Sequence, residues 1–338
     1  MKYEFYLGSY ASSEQESVYR YELDTETAVL RRKDARKGIE NPSYVVVHPK
    51  GNRMYCVEEM NPQGRIMTFL ENGEERAVVL SEGADPCHLS FDESGEYLFV
   101  SNYTSGSLSV FRLDAQRGTM LLVEHKQHTG SGKHPERQEG PHVHFSKLIG
   151  DRLYVCDLGL DCLFHYRFDQ ESGKLEETNE NVRFPDGFGP RHFAFHPENP
   201  EVLYVVGELT GEVAVLKKRD EKYEIVQRIS SLPEKYPREN TAAAIKCSAD
   251  GKFVFVSNRG NDSITSFHVN PEGKLEWGAI CSSGGEGPRD FEIFDEMIVV
   301  ANQYSNNLAV LKYDQETGKM ELVTSEEKVE KPVMVCKL

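Results

Sequence analysis

The chain has 338 residues, and its 55 acidic side chains outnumber its 39 basic ones to give a formal net charge of −16. A field of this sign repels nucleic acid and anionic lipid, so neither is expected as a partner. The opening stretch MKYEFYLGSY lacks the apolar core of a signal peptide, and no apolar run approaches the length of a membrane span. The sequence therefore predicts a soluble, cytoplasmic protein.

Seven cysteines are scattered along the chain, in an odd number and without a C-x-x-C spacing. This distribution supports neither a zinc site nor a disulfide framework. Buried free thiols in a reducing cytosol are expected instead. The sequence predicts no metal and no other cofactor.

A repeat runs through the chain at intervals of about 44 to 55 residues. Its units begin near residues 42, 86, 141, 190, 242 and 288. Each unit has an apolar alternating run, a turn rich in Asp, Gly, Asn and Pro, a β-branched and aromatic run, and two further alternating runs. Four antiparallel strands at this period, without helical periodicity between them, are typical of a β-propeller blade.

The two ends of the chain supply one more blade between them. The N-terminal segment YEFYLGSY…SVYRYELDTETAVL has the second, third and fourth strands of a unit, and the C-terminal PVMVCKL has a first strand. A composite blade of this kind makes seven and leaves no open sheet edge between the chain ends. The sequence thus predicts an all-β, seven-bladed β-propeller with four antiparallel strands per blade. We expect a single domain over residues 1–338 and a monomer.

Unusual polar residues cluster where first strands begin and second strands end. Because these two strands are antiparallel, both positions lie at the same end of a blade. In chain order the residues are His88, Tyr103, His142, His144, Asp157, Arg191, His192, Glu208, Arg259, Arg289 and Gln303. The long irregular connections 125–140, which includes Arg137, and 181–189 fall on the same side, where binding residues are commonly found.

Each of these features also fits a structural role when it is taken alone. A histidine at a strand end is commonly solvated, Glu208 could simply pair with Arg191 across its own blade, and the HPERQE loop could be a charged solvated turn. Arginine and histidine nevertheless gather here in an acidic protein. Because arginine binds phosphate and carboxylate and histidine exchanges protons near neutrality, we expect a site for an anionic small molecule with acid–base chemistry.

Several segments together resemble the seven-bladed propeller lactonases, a cytosolic family (the cycloisomerase 2 family) that includes propeller-type 6-phosphogluconolactonases and a fungal branch acting on muconolactones. They are ERQEGPHVH, DLGLD, GPRHFAFHP, GELTGEVAV, VSNRGNDSI and GPRDF…VANQYSNN, and the similarity extends over essentially the whole chain. The resemblance implies hydrolysis of 6-phospho-D-glucono-1,5-lactone to 6-phosphogluconate in the pentose phosphate pathway. It places the family's functional set on His144, Arg191, Glu208 and Arg259, with His142 as the alternative histidine.

We expect His144 to act as a general base, with Glu208 orienting it or stabilising its protonated form. Arg191 and Arg259 would stabilise the oxyanion or hold the phosphate. The expected substrate-binding residues are His142, His192, Arg289, Tyr103, His88, Gln303 and Arg137. No G-x-S-x-G motif is present, so direct attack by water is favoured over a covalent intermediate. These side chains are expected to meet at one basic funnel of the ring.

Three alternatives stay open. The oxygen atoms of Glu208, Asp157, Asn258 and Asn302 could form a divalent cation site, although clustered arginines oppose it. The substrate could be another sugar lactone or a muconolactone. A non-enzymatic binding propeller is disfavoured because Gly-His and Trp-Asp repeat signatures are missing and the single tryptophan, Trp277, lies outside such a position.

Overall fold

A computed structural model describes residues 1–51, 53–70, 74–114, 119–220, 222–234 and 236–338, apart from the side chains of residues 75 and 76. The regular structure of these residues consists of strands alone. No helix long and apolar enough to cross a membrane occurs in this part of the chain.

The strands follow one another along three segments of the chain. The first segment contains β1 (Lys2–Ser9), β2 (Val18–Asp24) and β3 (Val29–Arg36). The middle segment contains β4 (Val45–Val47), β5 (Arg53–Glu58), β6 (Arg65–Leu70), β7 (Glu75–Leu80), β8 (Pro86–Phe91), β9 (Tyr97–Asn102), β10 (Ser107–Leu113), β11 (Met120–Gln127), β12 (Val143–Ile149), β13 (Arg152–Asp157), β14 (Cys162–Asp169), β15 (Lys174–Glu177) and β16 (Val182–Arg183). The last segment contains β17 (Pro190–His196), β18 (Asn199–Gly207), β19 (Glu212–Arg219), β20 (Lys222–Ser230), β21 (Thr241–Cys247), β22 (Phe253–Arg259), β23 (Ser263–Val269), β24 (Leu275–Ser282), β25 (Pro288–Phe294), β26 (Met297–Asn302), β27 (Asn307–Tyr313), β28 (Met320–Lys328) and β29 (Pro332–Lys337).

The described strands form seven sheets, and each has four strands in consecutive antiparallel order. One of them also carries β16, which pairs with β14. Another has the order β29-β1-β2-β3, because the C-terminal strand pairs with the N-terminal one. The predicted four-stranded blades, their number and the composite blade are therefore confirmed.

The chain divides into two compact units. The first unit comprises Met1–Gly38 and Arg191–Leu338 and holds four of the sheets, including the composite one. The second unit comprises Ile39–Pro190 and holds the other three. The single domain over residues 1–338 stays a prediction.

Burial decreases from the first two strands of a sheet to its fourth. Every residue of β9 and of β26 is buried, as expected for strands whose two faces are both covered. The fourth strands β11 and β28 are exposed along much of their length. Burial is therefore greatest in the second strands, at whose ends several of the predicted site residues lie.

Aromatic side chains fill the space between neighbouring sheets in both units. In the second unit Phe168 packs edge-on against Tyr97 and Phe99, with ring centroids 5.0 and 5.1 Å away. In the first unit Phe5 stacks on Tyr21 at 5.6 Å and is tilted against Phe294 at 5.5 Å. Each fully buried phenylalanine stabilises the fold by about 1.5–3 kcal/mol.

All seven cysteines lie within strands as free thiols, four of them buried and three partly buried. Burial raises the pKa of the Cys162 thiol to about 12 and that of Cys247 to about 12. These thiols stay protonated near neutral pH, so they lack the thiolate that a cysteine nucleophile requires.

Acid stability should depend on His165, a 3% exposed histidine of β14. Burial, and then the charge of Arg152, lower its pKa from 6.5 to about 4. Between these pH values the unfolded chain binds a proton that the folded chain does not, so stability falls as pH decreases from about 6.5 to about 4. His165 should lower the free energy of unfolding by roughly 3 kcal/mol as the pH falls through that range. In urea unfolding at pH 7 and pH 4.5, His165→Leu should lose less stability on acidification than the wild type; equal losses would contradict the prediction.

Candidate functional site

The predicted site residues lie where first and second strands of the same sheet meet. The registers pair Pro86 with Asn102, Val143 with Asp157, Thr241 with Arg259 and Pro288 with Asn302. Each pair joins the start of a first strand to the end of a second strand. The prediction that the starts of first strands and the ends of second strands lie together within a sheet is therefore confirmed.

A β-bulge interrupts the first strand of several sheets at this end. His144 is the extra residue between Val143 and Phe145, and Arg289 is the extra residue between Pro288 and Asp290. A bulge leaves one residue outside the ladder and redirects its side chain, and such bulges are frequent next to active sites. His144 and Arg289 therefore occupy equivalent, redirected positions in their own sheets.

In the first unit, one carboxylate binds two arginines. Glu208 follows β18, and its Oε2 lies 2.9 Å from Arg191 Nε and 3.0 Å from Arg259 Nη2. Arg191 Nη1 also donates to the carbonyl of Ala243 at 2.9 Å, and Arg259 Nη2 donates to that of Ala242 at 3.1 Å. Two guanidinium charges face one carboxylate charge in this cluster, so it carries a net positive charge.

This cluster is almost fully enclosed by protein. Arg191 and Glu208 are each 3% exposed, and the Arg259 side chain is 9% exposed. Glu208 does pair with Arg191 across its own sheet, as the structural interpretation allowed, but it also binds an arginine of the next sheet. Because a buried charge is costly unless it is paired and hydrogen-bonded, the arrangement holds the two guanidinium groups in fixed directions.

His192 extends the cluster on one side. Arg191 Nη1 lies 3.0 Å from His192 Nε2. A guanidinium only donates, so Nε2 accepts and the proton of the neutral ring lies on Nδ1. His192 is partly buried, and its ring is oriented by the arginine beside it.

Arg289 and Tyr304 influence the same cluster electrostatically. Burial lowers the pKa of the Arg259 guanidinium, Glu208 opposes that shift, and the positive charge of Arg289 lowers the pKa further. Tyr304 acts in the opposite direction. Arg289 itself lies over the ring of Tyr10 at 5.0 Å and donates from Nη2 to its hydroxyl at 2.9 Å.

Gln303 follows β26 in the same sheet as Arg289. Its backbone N–H donates to the carbonyl of Gly287 at 3.0 Å. Its side-chain Oε1 is buried and accepts no hydrogen bond from the part of the chain that the structure describes. The direct role of Gln303 in substrate binding stays a prediction.

In the second unit, Tyr103 organises the predicted histidines. His142 stacks on the Tyr103 ring at 4.5 Å, and His144 meets the same ring edge-on at 5.6 Å. Arg137 Nη2 donates to the Tyr103 hydroxyl at 3.2 Å. Four residues predicted from the sequence thus form one group, and both histidines are buried, at 5% and 4% exposure.

The two ring nitrogens of His142 both face oxygen atoms. Nδ1 lies 3.1 Å from the carbonyl of Tyr103, and Nε2 lies 3.3 Å from Oε1 of Glu139. The backbone N–H of Glu139 and then the charge of His142 lower the pKa of the Glu139 carboxyl, while partial burial opposes the shift. With an oxygen atom facing each ring nitrogen, His142 is poorly placed to remove a proton from water.

Asp157 fixes the backbone where the histidine pair begins. It is fully buried, and its Oδ1 accepts the N–H groups of His142 at 2.8 Å and Leu160 at 3.1 Å. Its Oδ2 lies 2.6 Å from Nδ1 of His128, whose Nε2 lies 2.8 Å from the Tyr166 hydroxyl. This buried network satisfies every charged or polar group it contains through partners that do not include substrate.

The connection before His142 is held by Gln138, which is fully buried. Its Nε2 donates to the carbonyl of Leu158 and to Asp161 Oδ1, both at 2.8 Å. Its Oε1 accepts the N–H groups of Lys133 at 3.1 Å and His134 at 2.9 Å. The interpretation of HPERQE as only a solvated turn is therefore wrong, because one of its residues anchors the loop.

His88 lies between two aromatic rings. Its ring centroid is 4.5 Å from that of Tyr44 and 4.1 Å from that of Phe145. Nδ1 accepts the Ser146 N–H at 3.4 Å, and the residue is 2% exposed. This packing favours a structural role for His88, and its role in substrate binding stays a prediction.

Of the four residues in the cation alternative, three have side-chain oxygens that are engaged with other described residues. Glu208 binds two arginines, and Asp157 binds His128. Asn258 Oδ1 accepts from Ser231. Asn302 Nδ2 donates to the carbonyl of Ser283 at 3.0 Å, while its Oδ1 is buried and accepts no hydrogen bond from the described residues. Among the described residues, no group of three or more His, Cys, Asp or Glu side chains is arranged to hold a metal ion.

The predicted set is divided between the two units. Arg191, Glu208 and Arg259 belong to the first unit, together with His192, Arg289 and Gln303, whereas His144 belongs to the second, together with His88, Tyr103, Arg137 and His142. Arg191, Glu208, Arg259 and His192 form a cluster in the first unit. Tyr103, Arg137, His142 and His144 form one in the second. That the clusters share one funnel, and that Glu208 assists His144, both stay predictions.

Sequence reasoning missed three contributors. Tyr10 follows β1, the second strand of the composite sheet, and so occupies the same position as Tyr103. Glu139 stands three residues before His142 in the ERQEGPHVH segment. His128 carried no signal, because its contact with Asp157 depends on how a long connection folds.

Comparison with known proteins gives a consistent result. The family profile described as "Lactonase, 7-bladed beta-propeller" matches residues 4–337. The 6-phosphogluconolactonase of Bacillus subtilis (strain 168) is 35% identical over 347 aligned positions, which cover 99% of this chain and 98% of the relative. A solved structure from Lactobacillus plantarum superimposes with a TM-score of 0.93 at 30% identity and covers 100% of both chains. The periplasmic gluconolactonase of Pseudomonas aeruginosa superimposes with a TM-score of 0.92 at 28% identity, covering 100% of this chain and 99% of that one.

Proposed function

Because this chain belongs to the seven-bladed β-propeller lactonase family, we propose that it hydrolyses 6-phospho-D-glucono-1,5-lactone to 6-phosphogluconate. Family membership and the Bacillus relative support a lactone-hydrolysing enzyme. The observation that carries the finer assignment is the buried pair Arg191 and Arg259 on Glu208, with Arg289 acting on the same cluster. In a chain with a net charge of −16, this local positive charge favours an anionic substrate.

Lactone hydrolysis requires a base for the attacking water and donors for the developing oxyanion. We assign the base to His144, because His142 has an oxygen acceptor at each ring nitrogen. The water proton passes to His144 as the C–O bond to water forms. When the ring ester bond breaks, the same proton passes to the departing ring oxygen, which becomes the 5-hydroxyl of the product.

Arg191 and Arg259 are assigned to the carbonyl oxygen of the lactone. Their guanidinium groups are fixed by Glu208 and by two backbone carbonyls, and such preorganised donors stabilise charge that develops in a transition state. The thiols of Cys162 and Cys247 stay protonated, which agrees with direct attack by water.

A second candidate is hydrolysis of the unphosphorylated glucono-1,5-lactone. It is favoured by the structural similarity to the Pseudomonas aeruginosa gluconolactonase. Both reactions use the same ester chemistry and differ in the charge of the substrate. We place the protein in the cytoplasm, because membranes retain phosphorylated sugars there. We also propose that it is a monomer and that it acts in the pentose phosphate pathway.

The direct test is an assay with both lactones. Glucose-6-phosphate dehydrogenase generates the phosphorylated lactone in place, and its disappearance is compared with spontaneous hydrolysis, with and without a chelator. We expect catalysis that resists the chelator and a kcat/KM at least about tenfold higher for the phosphorylated lactone, the factor that one charge-assisted hydrogen bond supplies. Arg219→Gln, at the far end of β19, should behave as the wild type. A rate equal to the spontaneous one would refute the proposal, and preference for the unphosphorylated lactone would establish the second candidate.

A further inference from the structure

Arg289 differs from the two buried arginines in how it is held. Arg191 and Arg259 each bind Glu208 and a backbone carbonyl and are almost fully enclosed. Arg289 is partly exposed, and its guanidinium lies over the Tyr10 ring at 5.0 Å with a 2.9 Å hydrogen bond to the hydroxyl. Stacking on a ring fixes the direction in which a guanidinium points.

The backbone that carries Arg289 is firmly anchored. Asp290, the next residue, is 7% exposed and accepts the Val335 N–H at 3.0 Å, which ties β25 to β29. Lys246 Nζ lies 3.9 Å from Asp290 Oδ1. The bulge at Arg289 therefore directs its side chain away from a fixed strand.

The charge of Arg289 acts on the neighbouring cluster. Its positive charge lowers the pKa of Arg259, in addition to the lowering caused by burial, although Glu208 opposes both. Positive charges that act on one another repel, and a bound anion reduces that repulsion. A ligand with two negative charges on one group relieves this repulsion more than a neutral hydroxyl does.

We infer that Arg289, oriented by Tyr10, binds the 6-phosphate of the substrate, whereas Arg191 and Arg259 act on the lactone carbonyl. This inference rests on the proposed function and divides it among the three arginines. Arginine presents paired N–H donors that match two phosphate oxygens. The Tyr10 hydroxyl accepts from Arg289 Nη2 and so fixes where the guanidinium lies. Arg289 and Tyr10 thereby determine specificity for a phosphorylated lactone.

The test compares Arg289→Gln and Tyr10→Phe on lactones with and without the phosphate. Arg289→Gln should lower kcat/KM for the phosphorylated lactone by about 10- to 100-fold, the range expected for losing a charge-assisted hydrogen bond, mainly through KM. Hydrolysis of glucono-1,5-lactone should change by less than about threefold, the size of a weak surface interaction. Tyr10→Phe should shift the same ratio in the same direction by a smaller factor. Arg219→Gln, which removes an exposed arginine paired with Glu224, is the matched control and should leave both rates unchanged.

Binding measurements separate this inference from the proposed function. In calorimetry, wild type should bind 6-phosphogluconate at least about tenfold more tightly than gluconate, and Arg289→Gln should remove that difference. This result would support the phosphate site even if the wild type failed to hydrolyse the phosphorylated lactone. Equal losses of rate on both lactones, or an unchanged preference in both variants, would overturn the assignment. Circular dichroism checks that each variant is folded before its kinetics are interpreted. If Arg289→Gln does not fold, Tyr10→Phe still tests the assignment.

Discussion

Replacing Glu208 by glutamine should strongly impair both the stability of the fold and catalysis. Glutamine has nearly the same shape, but it removes the negative charge that Glu208 presents to Arg191 and Arg259. Two buried guanidinium groups would lose the carboxylate that they share, and breaking a buried ion pair in this way typically costs about 3–5 kcal/mol. Because the same arginines are assigned to the oxyanion, kcat should also fall by roughly 10²- to 10³-fold.

The measurement is urea unfolding combined with steady-state kinetics on the phosphorylated lactone. Glu212→Gln is the matched control, because Glu212 opens β19 of the same sheet and pairs with Arg228 at 3.2 Å, but on a more exposed surface. Glu212→Gln should lower the free energy of unfolding by at most about 1 kcal/mol and leave kcat unchanged. Glu208→Asp keeps the charge on a shorter side chain and should recover part of the stability. If Glu208→Gln and Glu212→Gln had equally small effects, the shared carboxylate would not be holding the arginines.

The architecture followed from the sequence because strand periodicity and turn residues are local signals. Each repeat unit contains the alternating patterns of its four strands. The incomplete units at the two ends of the chain together make one further sheet. The strand-end rule also located Glu208 and Arg259 correctly, because an antiparallel pair fixes which ends meet. The same rule identifies Tyr10, provided that the composite sheet is aligned with the other sheets.

Partners across different sheets were not accessible in this way. The sequence placed Arg259 at a strand end, but its pairing with the carboxylate of the preceding sheet depends on how far each side chain reaches. The network of His128 with Asp157 depends on the path of an irregular connection. Local periodicity contains no information about such paths, so these contacts could only be found in three dimensions.

The sequence also could not decide whether His142 or His144 is the general base, because the answer depends on local backbone geometry. The sequence PHVH places two histidines two positions apart, on a strand whose ideal alternation would give them the same face. The bulge at His144 breaks that alternation, so the two rings meet Tyr103 in different orientations. His142 stacks flat on Tyr103, whereas His144 meets the ring edge-on.

Replacing His144 by glutamine should lower kcat for the phosphorylated lactone by about 10²- to 10⁴-fold, the contribution of a well-placed general base. KM should change much less, because phosphate binding is assigned to other residues. A histidine base also gives the pH profile of kcat/KM an acid limb, which the variant should lose. The measurement is kcat and KM as a function of pH, corrected for spontaneous hydrolysis at each pH.

His142→Gln is the matched control for this prediction, because it removes a neighbouring buried histidine that stacks on the same tyrosine. Since the ring nitrogens of His142 are directed at the Tyr103 carbonyl and at Glu139, its loss should disturb the position of Tyr103 and raise KM while the acid limb is retained. A larger fall in kcat for His142→Gln than for His144→Gln, accompanied by loss of the acid limb, would transfer the base to His142. In that case Glu139 would have to move away from Nε2 before catalysis, and Glu139→Gln would then raise activity by releasing that nitrogen.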